Sequence, residues 1–298
     1  MGLIGGSLGM AAKKNKVAGC VVGLVRKKKS RAAILKAKAA DKIVTDYADV
    51  IGQSQLVVLA VPLAAMEGCA KDIFMHAKTD TVITDVGSVK GPVVNSLERV
   101  FSGKGQFVGS HPMAGSEKSG IEAARSDLFQ KALCILTPSP STHPKALSTV
   151  QKFWHALGAK TCLASAQDHD SVVAMVSHLP HLVAACLMHS TVKAGEGFED
   201  PTKFIGPSFR DVTRIAASSP ELWTDIILSN RSAILRAASS YVEGLEATKE
   251  LIERRDREGL LAFFRRAQAE RLKLSLRGAE ATKQSGRKNN EIASLRSQ

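Results

Sequence analysis

Along the first 165 residues, short aliphatic runs alternate with longer segments whose apolar positions recur at helical spacing. Five runs read as strands: Val17 to Val25 ("VAGCVVGLV"), Leu56 to Val61 ("LVVLAV"), Val82 to Asp85, Phe107 to Gly109 and Leu133 to Thr137. Their Val, Ile and Leu content, without polar alternation, fits strands covered on both faces, and the helical segments between them fit crossovers of a parallel sheet. From about Asp168 the strand signal stops and long helical patterns take over, with "PELWTDIILSNRSAILRAASSYVEGLEATKELIERR" the clearest. The pattern predicts an α/β domain over 1–166 and an all-α domain over 167–283. Residues 284–298 are polar, basic and without period, as expected of a disordered tail.

The chain opens "MGLIGGSLG". Gly2 and Gly5 fit the second and third glycines of G-x-G-x-x-G, where lack of a side chain allows close approach to a pyrophosphate and tight helix packing. A glycine-rich turn alone is a weak signal; the helix-compatible segment and second strand that follow make it a Rossmann-type dinucleotide site. That motif is normally preceded by a buried strand and its first glycine, and neither lies ahead of Met1. The expectation is that they lie upstream; a chain that functions without them would bind cofactor weakly.

Charge refines the cofactor. At the end of the second strand an NAD site places Asp or Glu against the ribose 2′-hydroxyl; here Val25 is followed by Arg26, Lys27, Lys28, Lys29 and Arg31. Arginine can pair with a 2′-phosphate that a carboxylate would repel, so NADP is expected ahead of NAD. The plainer reading is a solvated basic helix start. The formal net charge of +13 also invites a nucleic-acid reading. Ten basic and no acidic residues lie between Lys13 and Lys38, but no aromatic accompanies them, so a base-stacking platform is missing.

Five cysteines, at 20, 69, 134, 162 and 186, lack paired or metal-like spacing, which points to reduced thiols and a cytoplasmic protein. No signal peptide is visible. The longest uncharged stretch, Ser171 to Val192, could just reach across a bilayer, but it contains His178, Pro180, His181 and His189, so a buried helix at a subunit interface is expected and no membrane span.

Candidate chemistry sits in four motifs: "TDVGSVKG" (Thr84 to Gly91), "GSHPMAGSEKSG" (Gly109 to Gly120), "VSHLPH" (Val176 to His181) and "FRDVTRIAASSPELW" (Phe209 to Trp223). Ser88 and His111 each follow a strand, at the edge of the sheet where such folds bind ligands. A histidine there can be a neutral base near pH 7, with a serine hydroxyl to orient it or the substrate. His178 and His181, three apart, share a helical face, but two histidines without a third ligand or an H-E-x-x-H pattern make a poor zinc site, so no metal is expected. Arg210 and Arg214 stand one turn apart, an arrangement that repels unless an anion lies between them or Asp211 orients one.

These motifs, in this order and with "GLIGGSLG", resemble the prephenate and arogenate dehydrogenases of tyrosine biosynthesis, from Gly2 to about Arg271. The resemblance implies oxidative decarboxylation of prephenate, or of arogenate, with hydride transfer to a nicotinamide cofactor. It implies His111 as the base, Ser88 as its support, and Arg214 gripping a substrate carboxylate. It places His178, His181, Ser116, Glu117, Arg210 and Trp223 around the substrate, with Glu117 gating the entrance and Trp223 either walling the ring pocket or filling the helical core. Cofactor contacts are implied at Gly2, Leu3, Ile4, Gly5, Arg26, Lys27, Val61 and Pro62. The long apolar helix has more apolar surface than a small domain hides, so a homodimer through the helical domain is expected. Other Rossmann enzymes with helical dimer domains, a silent NADP-binding regulator, a remnant impaired at its N-terminus and a nucleic-acid binder are the alternatives; the first would need a differently placed base.

Overall fold

The computed structural model describes residues 1–25, 31–116, 118–194 and 201–274. Met1–Ala237 forms one compact unit and the chain from Ala238 a second.

The first unit opens with α1 (Leu3–Lys14), followed by β1 (Val22–Leu24), α2 (Arg31–Lys36) and β2 (Lys42–Val44). Next come β3 (Leu56–Leu59), α3 (Leu63–His76), β4 (Val82–Asp85), α4 (Gly91–Val100), β5 (Gln106–Pro112), β6 (Leu133–Thr137), α5 (Pro144–Ala156) and β7 (Lys160–Leu163). Strands β3 to β7 form one sheet in sequence order, while β1 and β2 pair with each other as a separate parallel ribbon. Leu8, Ala11, Trp154 and Leu136 pack on one side, around α1 and α5; Met66, Ile73, Val94 and Leu97 of α3 and α4 pack on the other. Such two-sided cover explains why these strands show no polar alternation.

The sheet is not wholly parallel. β5 and β6 run antiparallel, Gly109 opposite Thr137 and Pro112 opposite Cys134, which corrects the all-parallel expectation. A parallel return needs a crossover, usually a helix. Between β5 and β6 the described chain forms only a 3₁₀ turn (Ile121–Ala123), laid against α1, where Ser7 Oγ accepts the Arg125 N–H at 3.0 Å. Gly6 permits this contact, since a Cβ there would collide with Ile121 Cδ1, and Gly9 lets α1 approach the chain after α2, where a Cβ would collide with the Ala39 carbonyl oxygen.

The helical part begins with α6 (Ala166–Val173), capped by Ser165, whose Oγ accepts the Asp168 N–H at 2.9 Å. A π turn over Ala174–His178 joins it to α7 (Leu179–Ala194), with the Leu179 N–H bonded to the Ala174 carbonyl five residues back. Pro180 accounts for the wide turn, since in a regular helix its ring would strike the carbonyl four residues earlier. Then follow α8 (Pro207–Thr213), α9 (Pro220–Ser229) and α10 (Arg231–Glu253). The single helical pattern from Pro220 is thus two helices, broken at the buried Asn230.

The continuous helix Ala166–Lys193 is long and apolar enough to cross a membrane, with a mean hydropathy of 1.7. Within one chain it is only partly covered: Val172, Met175, Val176 and Val192 are all exposed. In the second unit, α10 runs on to Glu253 and a last helix spans 257–274, capped by Asp256, whose Oδ1 accepts the Gly259 N–H at 2.8 Å.

Candidate active site

Two features mark the site: the half-buried start of α1 and a buried histidine cluster at the end of β5.

Gly2 precedes α1 in an extended conformation, its carbonyl taking the Gly6 N–H at 2.8 Å, and no side chain caps the helix. The first amides of a helix have no intrahelical partner and form a ready anion site. A Cβ on Gly2 would meet nothing within 4 Å, so open space lies against this helix end, while Gly5 abuts Ala60 at the end of β3. Leu3, Ile4, Val61 and Pro62 therefore gather with Gly2 and Gly5 at one edge, and these residues fit a dinucleotide pyrophosphate. Arg26, Lys27 and Glu117 lie outside the described residues, as does the 284–298 tail.

His111 is buried near the end of β5, and its Nδ1 lies 2.8 Å from His169 Nε2, the two rings edge-on. His169 Nδ1 in turn lies 2.7 Å from Asp170 Oδ1. Asp170 also accepts the Lys90 N–H through Oδ1 and the Gly91 N–H through Oδ2, both at 2.7 Å, and so caps α4 from the first turns of α6. Asn230 donates to the Asp170 carbonyl at 2.8 Å and to His178 Nδ1 at 3.2 Å. With Nδ1 accepting, neutral His178 carries its hydrogen on Nε2. His181 is the opposite: its Nδ1–H donates to the Ser177 carbonyl at 2.9 Å, leaving the lone pair on Nε2. Trp223 stacks on His181, ring centroids 3.5 Å apart and planes 20° from parallel, and meets His178 edge-on.

Three of the four imidazoles, those of His111, His178 and His181, favour the neutral form. Burial pushes the His111 pKa well below its usual value, and electrostatic repulsion against its charged form from His169, Lys90 and His178 lowers it further. Burial lowers His178 to about 4 against the pull of Asp170. His181 is lowered by burial and by Arg214, partly offset by the Ser177 carbonyl.

Beneath His111 lies a fully buried ion pair between Lys90 Nζ and Asp85 Oδ2. Lys90 also donates to the Ser110 carbonyl at 2.9 Å, and Asp85 accepts the Ser110 N–H at 3.0 Å and the Gly87 N–H at 2.8 Å. The Ser110 hydroxyl donates to the Asp85 carbonyl and accepts the Trp154 indole N–H at 3.2 Å. This network ties the loop carrying Ser88 to the backbone just before His111.

His111, His178, His181 and Trp223 are thus brought together, and Arg214, in a 3₁₀ turn after α8, is close enough for its charge to act on His181. Ser88 is half-buried before α4 and makes no hydrogen bond to His111 among the described residues. Ser116 is exposed and its hydroxyl accepts the Lys118 N–H of its own loop at 3.1 Å; Arg210 is exposed on α8. His169, Asp170, Asn230 and the Lys90–Asp85 pair were missed. In the sequence "SAQDHDSVV" reads as a polar, serine-capped helix start, and only a His-Asp pair on the face towards His111 signals more.

Comparison with known proteins gives the site its context. The family model described as the nucleotide-binding domain of prephenate dehydrogenase matches residues 8–163, and that of the dimerization domain of prephenate dehydrogenase matches 165–266. The chain is 35% identical over 281 residues to a prephenate dehydrogenase of Bacillus subtilis, covering 93% of this chain and 75% of the relative. It superposes with a TM-score of 0.86 and 33% identity on a prephenate dehydrogenase from A. aeolicus solved with hydroxyphenyl propionate and NAD+, covering 92% and 95% of the two chains. A Synechocystis arogenate dehydrogenase gives 0.79 and 28%, covering 91% and 96%.

Proposed function

The chain belongs to the prephenate dehydrogenase family, and on that footing we propose that it oxidatively decarboxylates prephenate to 4-hydroxyphenylpyruvate in tyrosine biosynthesis, with His111 as the base. The observation that carries this reading is the buried His111 imidazole at the sheet edge, kept neutral by its surroundings and held through one nitrogen. A bound nicotinamide nucleotide supplies the hydride acceptor. The chain binds and orients the substrate and moves one proton.

His111 takes the proton of the ring 4-hydroxyl while the hydride leaves the same ring carbon. After the ring carboxylate departs as carbon dioxide and the ring becomes aromatic, the proton returns to that oxygen. General acid–base catalysis of this kind is worth about 10²- to 10⁴-fold. Ser88 holds the substrate hydroxyl rather than the imidazole. Arg214 grips a carboxylate through its planar fork, His178 offers an N–H, and His181, backed by Trp223, offers a lone pair.

Three finer assignments belong to the same reading. The absence of an acidic residue after β1, with Arg26 and Lys27 next in sequence, supports NADP. The exposed apolar face of α6 and α7, within the match to a dimerization domain, supports a homodimer that covers it. Five free cysteines support a cytoplasmic location. A second substrate, arogenate, is favoured by the likeness to the Synechocystis enzyme.

The test is absorbance of reduced cofactor with prephenate and arogenate offered separately, each with NAD and NADP, for the wild-type chain and His111→Ala. Turnover of prephenate that His111→Ala loses by 10²-fold or more is expected. A wild-type preference for NAD would overturn the NADP assignment, and full activity in His111→Ala would overturn the base.

A further inference from the structure

We propose that His169 and Asp170 are positioning residues for His111, fixing which of its nitrogens holds the hydrogen and stabilising the charge it gains from the substrate. The proposal rests on the reading of His111 as the base.

The hydrogen-bond directions follow from what each group can do. The Asp170 carboxylate only accepts, and it is pinned by the amides of Lys90 and Gly91 at the start of α4, a helix end that favours an anion. His169 Nδ1, 2.7 Å from Asp170 Oδ1, must therefore carry a hydrogen. In neutral His169 the other nitrogen, Nε2, is then a lone pair, and it faces His111 Nδ1 at 2.8 Å. His111 must donate from Nδ1, which leaves the lone pair on Nε2. The nitrogen left without a partner among the described residues is the one able to receive a proton.

The same arrangement serves the charged state. When the hydroxyl O–H bond breaks, a new N–H forms at His111 Nε2, the oxygen's electron pair becomes the carbonyl as hydride leaves, and the Nδ1–H stays directed at His169. The imidazolium is then one hydrogen bond from His169 and two from the Asp170 carboxylate. That offset matters because the groups facing His111 are otherwise cationic or neutral: Lys90 from the start of α4, His178 from the π turn and Cys134 from β6. The Asp85 carboxylate of β4 is already engaged by Lys90. Asn230 completes the frame by holding the Asp170 carbonyl, so the relay is fixed from α4, α6 and the α9–α10 junction together.

Two measurements test this. The first needs no variant: selective ¹⁵N-histidine labelling of the whole enzyme at pH 8, with His111 assigned through His111→Ala among the eight histidines, reads the tautomer directly. A hydrogen on Nδ1 is expected, and one on Nε2 overturns the proposal. The second is kinetic. His169→Leu should lower kcat about 10- to 10²-fold, below the loss from His111→Ala, with KM and cofactor affinity within twofold. His169→Gln, whose amide oxygen can accept the His111 N–H, should recover part of the loss. In a His111→Ala background His169→Leu should add nothing; an additive loss would mean that His169 is only structural and would overturn the relay. If His111→Ala itself keeps full activity, the base assignment falls and the relay with it. If His111→Ala is inactive while folded His169→Leu is fully active, the relay alone falls.

Discussion

Replacing Lys90 with methionine separates charge from volume at the centre of the site, because methionine nearly matches the lysine stem. Lys90 and Asp85 are both 0% exposed. The substitution leaves the Asp85 carboxylate with only the amides of Gly87 and Ser110, and leaves the Ser110 carbonyl without its lysine donor. Removing one member of a buried pair costs about 3–5 kcal/mol, because the remaining charge stays out of water. At about 2 °C per kcal/mol for a chain of this length, the melting temperature should fall by roughly 6–10 °C. Circular dichroism melts measure this, with Lys71→Met as the control: its partner Glu67 and Lys71 itself are exposed, and such a pair is worth about 0.5 kcal/mol. The same substitution carries a kinetic signature. Burial depresses the His111 pKa most, but the Lys90 charge adds to it, so removing that charge should move the acid limb of kcat/KM to higher pH. A fall in melting temperature no larger than the control's, or a limb that moves to lower pH, would refute the reasoning.

Gly9→Ala should lose about 2 kcal/mol despite the better helix propensity of alanine, because its Cβ would meet a backbone carbonyl that cannot move aside; Gly68→Ala in α3, with nothing within 4 Å, should gain about 1 kcal/mol, and urea midpoints for the two variants check both signs. Thr137→Val should stabilise the chain by about 1 kcal/mol, since the buried Thr137 hydroxyl has no hydrogen-bond partner among the described residues; a lower urea midpoint would contradict this. Stability should be complete above pH 6.5 and fall as pH drops towards 4, because His178, at about 4 when folded, binds its proton more readily once unfolded, and His111 acts in the same direction. Urea midpoints at pH 8, 6 and 5 measure that slope, and a flat or rising midpoint on acidification would be the contrary result.

The parts of the fold legible in the sequence are those where burial leaves an apolar run. β4 and β6 have the predicted limits, Val82–Asp85 and Leu133–Thr137, because both lie inside the sheet. β2 is three residues, "KIV", and β7 is "KTCL", an edge strand with Lys160, Cys162 and Leu163 exposed and only two apolar residues, so neither produces a run of that kind. The direction of β6 was not legible, because strand composition does not encode polarity; the missing crossover helix between Pro112 and Leu133 was the available clue. Of the residues the fold gathers at the candidate site, His111, His178, His181 and Trp223 were legible because they sit in distinctive motifs. His169 and Lys90 act through partners 58 and 20 residues away in sequence, a separation no local pattern records.

The π turn before His178 sets the rotational phase of everything after it. One residue in an α-helix is worth about 100° of rotation, and the extra residue between Ala174 and Leu179 displaces α7 by that amount relative to α6. Deleting a single residue from this turn would keep every catalytic side chain and two intact helices, yet swing His181 about a quarter-turn around the axis relative to His169. The alignment of His181 with His169 is therefore a matter of counting, exposed to one-codon insertions and deletions in a way that no substitution scan would reveal.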